Sequence, residues 1–471
     1  MDRHLALIGF MGAGKSTLGR DAAELIGLPF VDVDQLVGED YGGTVAELFA
    51  RDGEERFREA EEEWAVSMLE SPDARVLSLG GGAIESPRTR EALRAHARTV
   101  WLDVPLETSW ERSRGTARPL AEDEDTFAQL YERRRPLYDA AADFVAHDLD
   151  DVVLAAAGVR FGVGALELLG SLVPGDGAVA LVTDATVAGI HGATAQLALG
   201  ERLVGVHELP AGEEAKTLAV CERLWREVEL GREGTIVALG GGATTDTAGF
   251  VAAAHMRGIP WIAVPTTLVG QVDAGIGGKT GVNLPEAKNQ VGAFHWPVRT
   301  VLDPGLLATL PARERENGAA EVVKTGLLAG EAFWELPEPE QVRRSAAYKA
   351  RVCLCDPHER GERAKLNLGH TFAHALEAAS DYELPHGRAV ALGLLAALRL
   401  SGLPTDVVEE RLRPERVKVD RERAWRALLR DKKGARGRPR LVLLDKPGVP
   451  RIGVELPPEH VRAALDALIE P

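Results

Sequence analysis

Along the first third of the chain, short apolar runs alternate with amphipathic stretches. Leu5 to Gly9, Pro29 to Val33, Arg75 to Leu79 and Thr99 to Val104 are strand-length, and their apolar residues run on where a half-exposed strand would alternate. They predict buried parallel strands with helices in the intervals. The rhythm breaks across Asp148 to Gly158, and Val159 to Gly164 reads as a fresh strand and turn, which puts a domain boundary near residue 157.

Beyond it, Ala178 to Asp184, Gly234 to Gly240 and Trp261 to Pro265 are strand-like, each followed by turn or helix-start residues, as in an open α/β nucleotide-binding domain. Past residue 312 strand signals nearly vanish. Ala319 to Leu328, Ser345 to Cys355, Thr371 to Ser380, Ala389 to Leu400 and Arg421 to Leu429 have helical spacing instead. The expected fold class is α/β: a parallel-sheet domain over 1–157, a second α/β domain over 158–312, and a mainly helical domain over 313–471.

The length of 471 residues suits about three domains. With 55 basic against 72 acidic residues the formal charge is −17, which disfavours nucleic acid and anionic membrane as partners. Anionic small molecules must then be met by local clusters of Lys and Arg; the densest basic run is Arg430 to Arg440. Three cysteines, Cys221, Cys353 and Cys355, are too few for a disulfide framework, so a reducing cytoplasm is expected. No apolar run reaches the length of a spanning helix, and neither export nor membrane anchoring is expected.

The first predicted strand runs into Gly9-Phe-Met-Gly12-Ala13-Gly14-Lys15-Ser16-Thr17, a phosphate-loop pattern in its strand-to-helix context. Consecutive amides at a helix start cradle phosphate, Lys15 neutralises the terminal phosphates and Ser16 binds Mg²⁺. By itself this gives nucleoside triphosphate binding. Downstream come Val31-Asp32-Val33-Asp34, Phe57-Arg58-Glu59-Ala60-Glu61 and Gly80-Gly81-Gly82, and with these the first segment resembles shikimate kinase over nearly its whole length. The resemblance implies ATP on Gly12, Ala13, Gly14, Lys15, Ser16, Thr17, Arg112 and Arg118, with Mg²⁺ on Ser16 and Asp32. It implies shikimate on Asp34, Arg58, Gly81 and Arg134, and catalysis by Lys15, the proton acceptor Asp34 and the lid residue Arg118. The plainer readings are that the paired aspartates cap a helix and that Arg133, Arg134 and Arg135 form a solvated face.

The second half carries Glu321-Val-Val-Lys324, Asn367-Leu-Gly-His370-Thr-Phe-Ala-His374 and Pro385-His386-Gly387. One carboxylate and two imidazoles leave a divalent ion with open positions for substrate. Upstream, Gly240-Gly241-Gly242 follows a strand, where glycines let backbone approach a pyrophosphate. Together with Pro265-Thr266-Thr267, Asp273, Gly277-Gly278-Lys279-Thr280 and Lys288-Asn289, these motifs resemble 3-dehydroquinate synthase from Val159 to the chain end.

That resemblance implies NAD on Asp184, Gly212, Glu213, Lys216, Gly242, Ala243, Thr244, Thr245, Asp246, Thr266, Thr267, Lys279 and Lys288, with Leu306, Leu307, Ala308 and Thr309 near the nicotinamide side. It implies Zn²⁺ or Co²⁺ on Glu321, His370 and His386, and 3-deoxy-arabino-heptulosonate 7-phosphate among Arg257, Asp273, Lys279, Asn289, Lys324, Lys349, Arg363, Asn367, Lys432 and Lys433. Catalysis would fall on Lys279, Lys324, Lys349, Arg257, Arg363, Asn367, Glu359 and the acid/base His374. The plainer reading of Lys324 is a structural bridge to Glu321. The joint expectation is a bifunctional shikimate-pathway enzyme, binding small molecules and homodimeric through its C-terminal half. The alternative is another small-molecule P-loop kinase fused to a cyclitol synthase or metal-dependent alcohol dehydrogenase.

Overall fold

A computed structural model describes residues 3–115, 123–285, 287–431 and 439–471. Arg118, Lys432 and Lys433 lie outside the described residues. The chain divides into two compact units, Met1–Ala157 and Gly158–Pro471.

In the first unit, β1 (His4–Ile8), β2 (Phe30–Asp32), β3 (Val76–Ser78), β4 (Ala97–Leu102) and β5 (Phe144–Ala146) form one parallel sheet in the order β2-β3-β1-β4-β5. Strand β1 is central and wholly buried, which is why its sequence is an unbroken apolar run. Helices α1 (Lys15–Ile26), α2 (Val33–Tyr41), α3 (Val45–Leu69), α4 (Pro87–His96), α5 (Leu106–Ser113), α6 (Glu124–Ala141) and α7 (Leu149–Ala156) surround it. The phosphate loop turns from β1 into α1 through Gly12 (φ 76°) and Gly14 (φ 93°), in the left-handed region that glycine tolerates. A Cβ on Gly12 would also lie 2.6 Å from the Ser109 carbonyl.

Strand β2 stops one residue before the expected Val33, because the Asp32 carboxylate accepts the amides of Asp34 (3.1 Å) and Gln35 (3.4 Å) and starts α2. Helix α3 begins with a Thr44–Glu47 capping box and breaks at Gly53 (φ 85°, ψ 170°). The segment after that kink carries Phe57, Arg58 and Glu61.

In the second unit, β6 (Val159–Phe161), β7 (Val179–Asp184), β8 (Leu203–Leu209), β9 (Thr235–Gly240), β10 (Trp261–Pro265) and, after a hairpin, β13 (Arg299–Leu302) build a six-stranded parallel sheet in the order β6-β13-β10-β9-β7-β8. The hairpin is β11 (Lys279–Leu284) and β12 (Ala287–Phe294). Helical turns α8 (Leu169–Leu172) and α9 (Ala185–Val187), then α10 (Ala193–Leu199), α11 (Leu218–Glu227) and α12 (Gly242–Ala254), complete the nucleotide-type half.

A helical layer follows: α13 (Ala312–Ala329), α14 (Glu338–Cys355), α15 (His370–Ala379), α16 (His386–Ser401), α17 (Asp406–Arg411), α18 (Arg421–Asp431) and α19 (Pro458–Asp466). Helix α13 is buried on all sides from Ala320 to Leu328, which places Glu321 and Lys324 in the interior of the layer. The antiparallel pair β14 (Leu441–Lys446) and β15 (Val449–Val454) interrupts the layer late in the chain. The α/β class with parallel sheets and a mainly helical C-terminal part is as expected. Strands β5, β8, β11, β12, β13, β14 and β15 were not foreseen. Edge strand β8 alternates exposed and half-buried positions, and β5 has three residues, so neither makes an unbroken apolar run. Among the described residues no helix is long and apolar enough to cross a membrane.

Candidate functional site

In the first unit a cavity of about 480 Å³ is lined by Gly12, Gly14, Lys15, Ser16, Thr17 and Arg112 from the nucleotide side and by Asp34, Arg58, Glu61, Gly81 and Arg134 from the other. Lys15 Nζ donates to the carbonyls of Gly9 (2.7 Å) and Phe10 (3.0 Å), so its charge is held over the loop. Ser16 Oγ is 3.5 Å from Ser78 Oγ at the end of β3, and Arg112 Nη1 donates to the Gly12 carbonyl at 3.3 Å. Ala13, within the loop, is buried.

The three glycines after β3 let the far wall close up. A Cβ on Gly80 would sit 1.9 Å from Glu61 Oε1 and 2.5 Å from Asp34 Oδ1; one on Gly82 would sit 2.0 Å from Arg58 Nη1. Gly81 accepts the Tyr138 hydroxyl at 2.6 Å. Each arginine of this wall is gripped by a carboxylate absent from the expected set: Arg58 Nη1 donates to Glu61 Oε2 at 2.6 Å, and Arg134 donates to Glu85 through Nε (2.9 Å) and Nη2 (2.5 Å). Arg134 is 1% exposed and so is no part of a solvated face, whereas Arg133 and Arg135 on either side of it are exposed. Burial pushes the Glu61 carboxyl up to about 7, with Arg58 opposing the rise and Asp34 adding to it.

In the second unit, Glu321 on α13, His370 at the start of α15 and His386 at the start of α16 each bring a ligand atom within 4.8 Å of the others. Glu321 Oε1 lies 3.4 Å from His370 Nε2 and 3.2 Å from His386 Nε2. Lys324 Nζ is 2.5 Å from Glu321 Oε2 as an ion pair, yet that buried oxygen meets no donor in hydrogen-bond geometry. Although burial alone would raise the Glu321 carboxyl, Lys324 and both imidazoles hold it well below the usual range. A buried, ionised carboxylate with two imidazoles converging on it suits a borderline divalent cation such as zinc or cobalt. The pairing of Lys324 with Glu321 exists, but it sits inside this cluster. His374 stacks edge-on to His370 at 5.4 Å, and Glu377, unforeseen, lies 3.1 Å from His386 Nδ1.

Around the cluster, Lys349 donates to both the carboxylate and the carbonyl of Asp273, and Lys279 pairs with Glu359 at 2.6 Å. Glu359 Oε1 is 3.5 Å from Asn367 Nδ2, and Arg363, 1% exposed, stacks over Phe294 and donates to the Pro357 carbonyl. Arg257 joins none of these pairs; it is exposed on a turn with left-handed backbone (φ 70°).

The dinucleotide-type residues group around α12, whose N-terminus begins at Gly242 just after β9 and carries Ala243, Thr244, Thr245 and Asp246. Lys216 Nζ bridges Asp246 Oδ2 (2.7 Å) and Asn289 Oδ1 (2.6 Å), while Glu213 accepts from Asn283. Burial would lower Lys216, but Asp246 and Glu213 outweigh it and raise its pKa. Gly212 is left-handed (φ 63°), and Asp184 caps α9 through the amides of Thr186 and Val187. Thr266 donates its amide to Gly240, Thr267 Oγ1 accepts from Gly270, and Lys288 lies 4.5 Å over the Tyr382 ring. Leu306 to Thr309 form a 3-10 turn in which Leu306 and Leu307 are buried.

Fold and sites together define a P-loop phosphotransferase unit joined to an α/β unit with a two-histidine, one-carboxylate cluster. Residues 11–156 match the family model for shikimate kinase; residues 206–317 and 318–433 match those for the N-terminal and C-terminal parts of 3-dehydroquinate synthase. The bifunctional shikimate kinase/3-dehydroquinate synthase of Thermotoga maritima is 33% identical over 471 residues, 92% of this chain and 93% of that protein. The 3-dehydroquinate synthase of Bordetella pertussis is 41% identical over 360 residues, 68% of this chain and 99% of its own. Among solved structures, 2-deoxy-scyllo-inosose synthase complexed with carbaglucose-6-phosphate, NAD⁺ and Co²⁺ matches with a TM-score of 0.59 and 26% identity, covering 66% of this chain and 96% of that one. The chain belongs to the bifunctional shikimate kinase/3-dehydroquinate synthase family, and both of its units are enzymes.

Proposed function

We propose that the first unit transfers the γ-phosphoryl group of ATP to the 3-hydroxyl of shikimate, and that the second converts 3-deoxy-arabino-heptulosonate 7-phosphate to 3-dehydroquinate and phosphate with NAD as a recycled redox carrier. The observation that carries this reading is that each unit holds a centre of its own: the phosphate-loop cavity with Arg58 and Arg134, and the Glu321–His370–His386 cluster, suited to a divalent cation, with Lys324 and Lys349 beside it.

In the kinase, loop amides and Lys15 hold the phosphates, and Asp34 takes the acceptor's hydroxyl proton. Arg58 and Arg134 bind the acceptor's carboxylate. Transfer then depends on positioning and charge neutralisation. Ser16 and Asp32 would hold Mg²⁺, which supplies part of that neutralisation.

In the synthase, Asp184, Gly212, Glu213, Lys216, the start of α12, Thr266, Thr267, Lys279 and Lys288 bind NAD, beside Leu306 to Thr309. Lys349, Arg363, Asn367, Asn289 and Arg257 bind the substrate's phosphate and carboxylate with Lys279. Asp273 and Glu359 orient those lysines, and His374 moves a proton next to the substrate. Glu321, His370 and His386 would hold a divalent ion, zinc or cobalt, which polarises a substrate oxygen when bound. The lid role of Arg118 and the substrate contact of Lys432 or Lys433 belong to the same proposal.

The rival pairing of a nucleoside-type kinase with a cyclitol synthase fits less well, because the buried Arg134 and half-buried Arg58 in the kinase cavity answer a carboxylate that a nucleoside acceptor lacks. On this reading both reactions run in the cytoplasm and the chain pairs as a homodimer through its C-terminal half. The test is one preparation assayed twice: ADP formation that requires shikimate, and phosphate release from the heptulosonate that a chelator stops. Phosphate release insensitive to chelation, or ADP formation indifferent to shikimate, would refute it.

A further inference from the structure

Arg134 is held from behind. It lines the phosphate-loop cavity, while Glu85, on the 3-10 turn Ala83–Glu85, lines an adjoining cleft with Glu54, Glu59 and Glu62. One oxygen of Glu85, Oε2, accepts from both Nε and Nη2 of Arg134, and the other faces Arg133 Nη2 at 3.4 Å. A guanidinium is a rigid planar fork whose N–H groups serve two edges, so fixing one edge fixes where the other points. The site needs such fixing, since a fully buried cation on a long side chain otherwise has several rotamers and no compensating charge. Arg58 is held similarly by Glu61.

We propose that Glu85 is a positioning residue of the kinase: by gripping the Nε–Nη2 edge of Arg134 it presents the remaining N–H groups to the acceptor's carboxylate, setting affinity for the acceptor without entering phosphoryl transfer. This rests on the reading of Arg134 as a carboxylate ligand. Despite partial burial, Arg134 and Arg133 hold the Glu85 carboxyl below its ordinary range, so it is ionised as this role requires. Arg133, exposed at 66% of its side chain, supports that charge from the solvent side and does not line the phosphate-loop cavity.

Steady-state kinase kinetics on the full-length protein, varying shikimate and ATP separately, test this. Glu85→Gln, which keeps the shape and removes the charge, is expected to raise the KM for shikimate about tenfold, with kcat and the KM for ATP changed by less than about twofold. Glu85→Asp, retaining the charge on a shorter stem, should fall between Gln and wild type, and Arg133→Ala should leave all three constants near wild type. An unchanged or lowered KM for shikimate in Glu85→Gln, or a loss confined to kcat, overturns the inference while Arg134→Ala still raises that KM. If Arg134→Ala leaves the KM for shikimate unchanged, the carboxylate reading fails and the inference goes with it. Should Glu85→Gln lose its melting transition, the Asp variant decides: an unaltered KM there overturns the proposal.

Discussion

Glu377 Oε1 lies 3.1 Å from His386 Nδ1, the ring nitrogen not turned toward Glu321. With Nδ1–H donated to that carboxylate, Nε2 is left with its lone pair directed at the cluster formed with His370. Glu377→Ala is therefore expected to weaken divalent-ion affinity by about 10–100-fold, measured by competition against a chelator. Kinase activity should be unaltered. Equal affinity in variant and wild type would mean that His386 needs no such support.

Glu61 is buried beside Asp34 and Arg58, and its carboxyl is pushed up from 4.5 to about 7. A carboxyl raised in the folded state binds protons better there than in the unfolded chain. Its contribution to stability is fully present below the unfolded value and is lost as pH rises through about 7. Glu61→Gln removes this dependence. Any melting deficit of Glu61→Gln at about pH 5 should shrink or reverse at about pH 8. A deficit that widens with pH has the opposite sign and contradicts the assignment.

Lys216 bridges Asp246 and Asn289 with both hydrogen bonds under 3 Å and is 4% exposed. Lys216→Met leaves the Asp246 carboxylate without its partner next to the start of α12. The expected result is a stability loss of about 3 kcal/mol by denaturant unfolding. A rise in the KM for NAD should accompany it, with the kinase constants unchanged. A variant with full stability and unchanged NAD kinetics would make the bridge incidental.

What could be read in the sequence was whatever is contiguous. The phosphate loop, the glycine run after β3 and the two histidine motifs are short strings whose chemistry is fixed by adjacent residues. Their carboxylate partners are different in kind. Glu85 acts on a residue 49 positions later, and only the packing of α6 against the turn before α4 brings the two together. Glu377 was within reach of a sequence argument, since it stands two turns along α15 from His370 on a helix with a buried face. Asp32 shows the reverse case, where the plain reading as a helix cap is realised in the structure. Its second oxygen remains for the role proposed above. Among strands, those missed were short, edge-placed or in the antiparallel pairs β11–β12 and β14–β15, where turn and neighbour rather than an apolar run define the element.

The central claim is that two separately equipped reaction centres work on one chain, and paired knockouts in the full-length protein test it most directly. Lys15→Met should abolish shikimate-dependent ADP formation and leave phosphate release from the heptulosonate within about twofold of wild type; His386→Ala should do the converse and lose its bound metal ion. If either variant, still folded, loses both activities, or if wild type shows only one of them, the account of two independent centres is wrong.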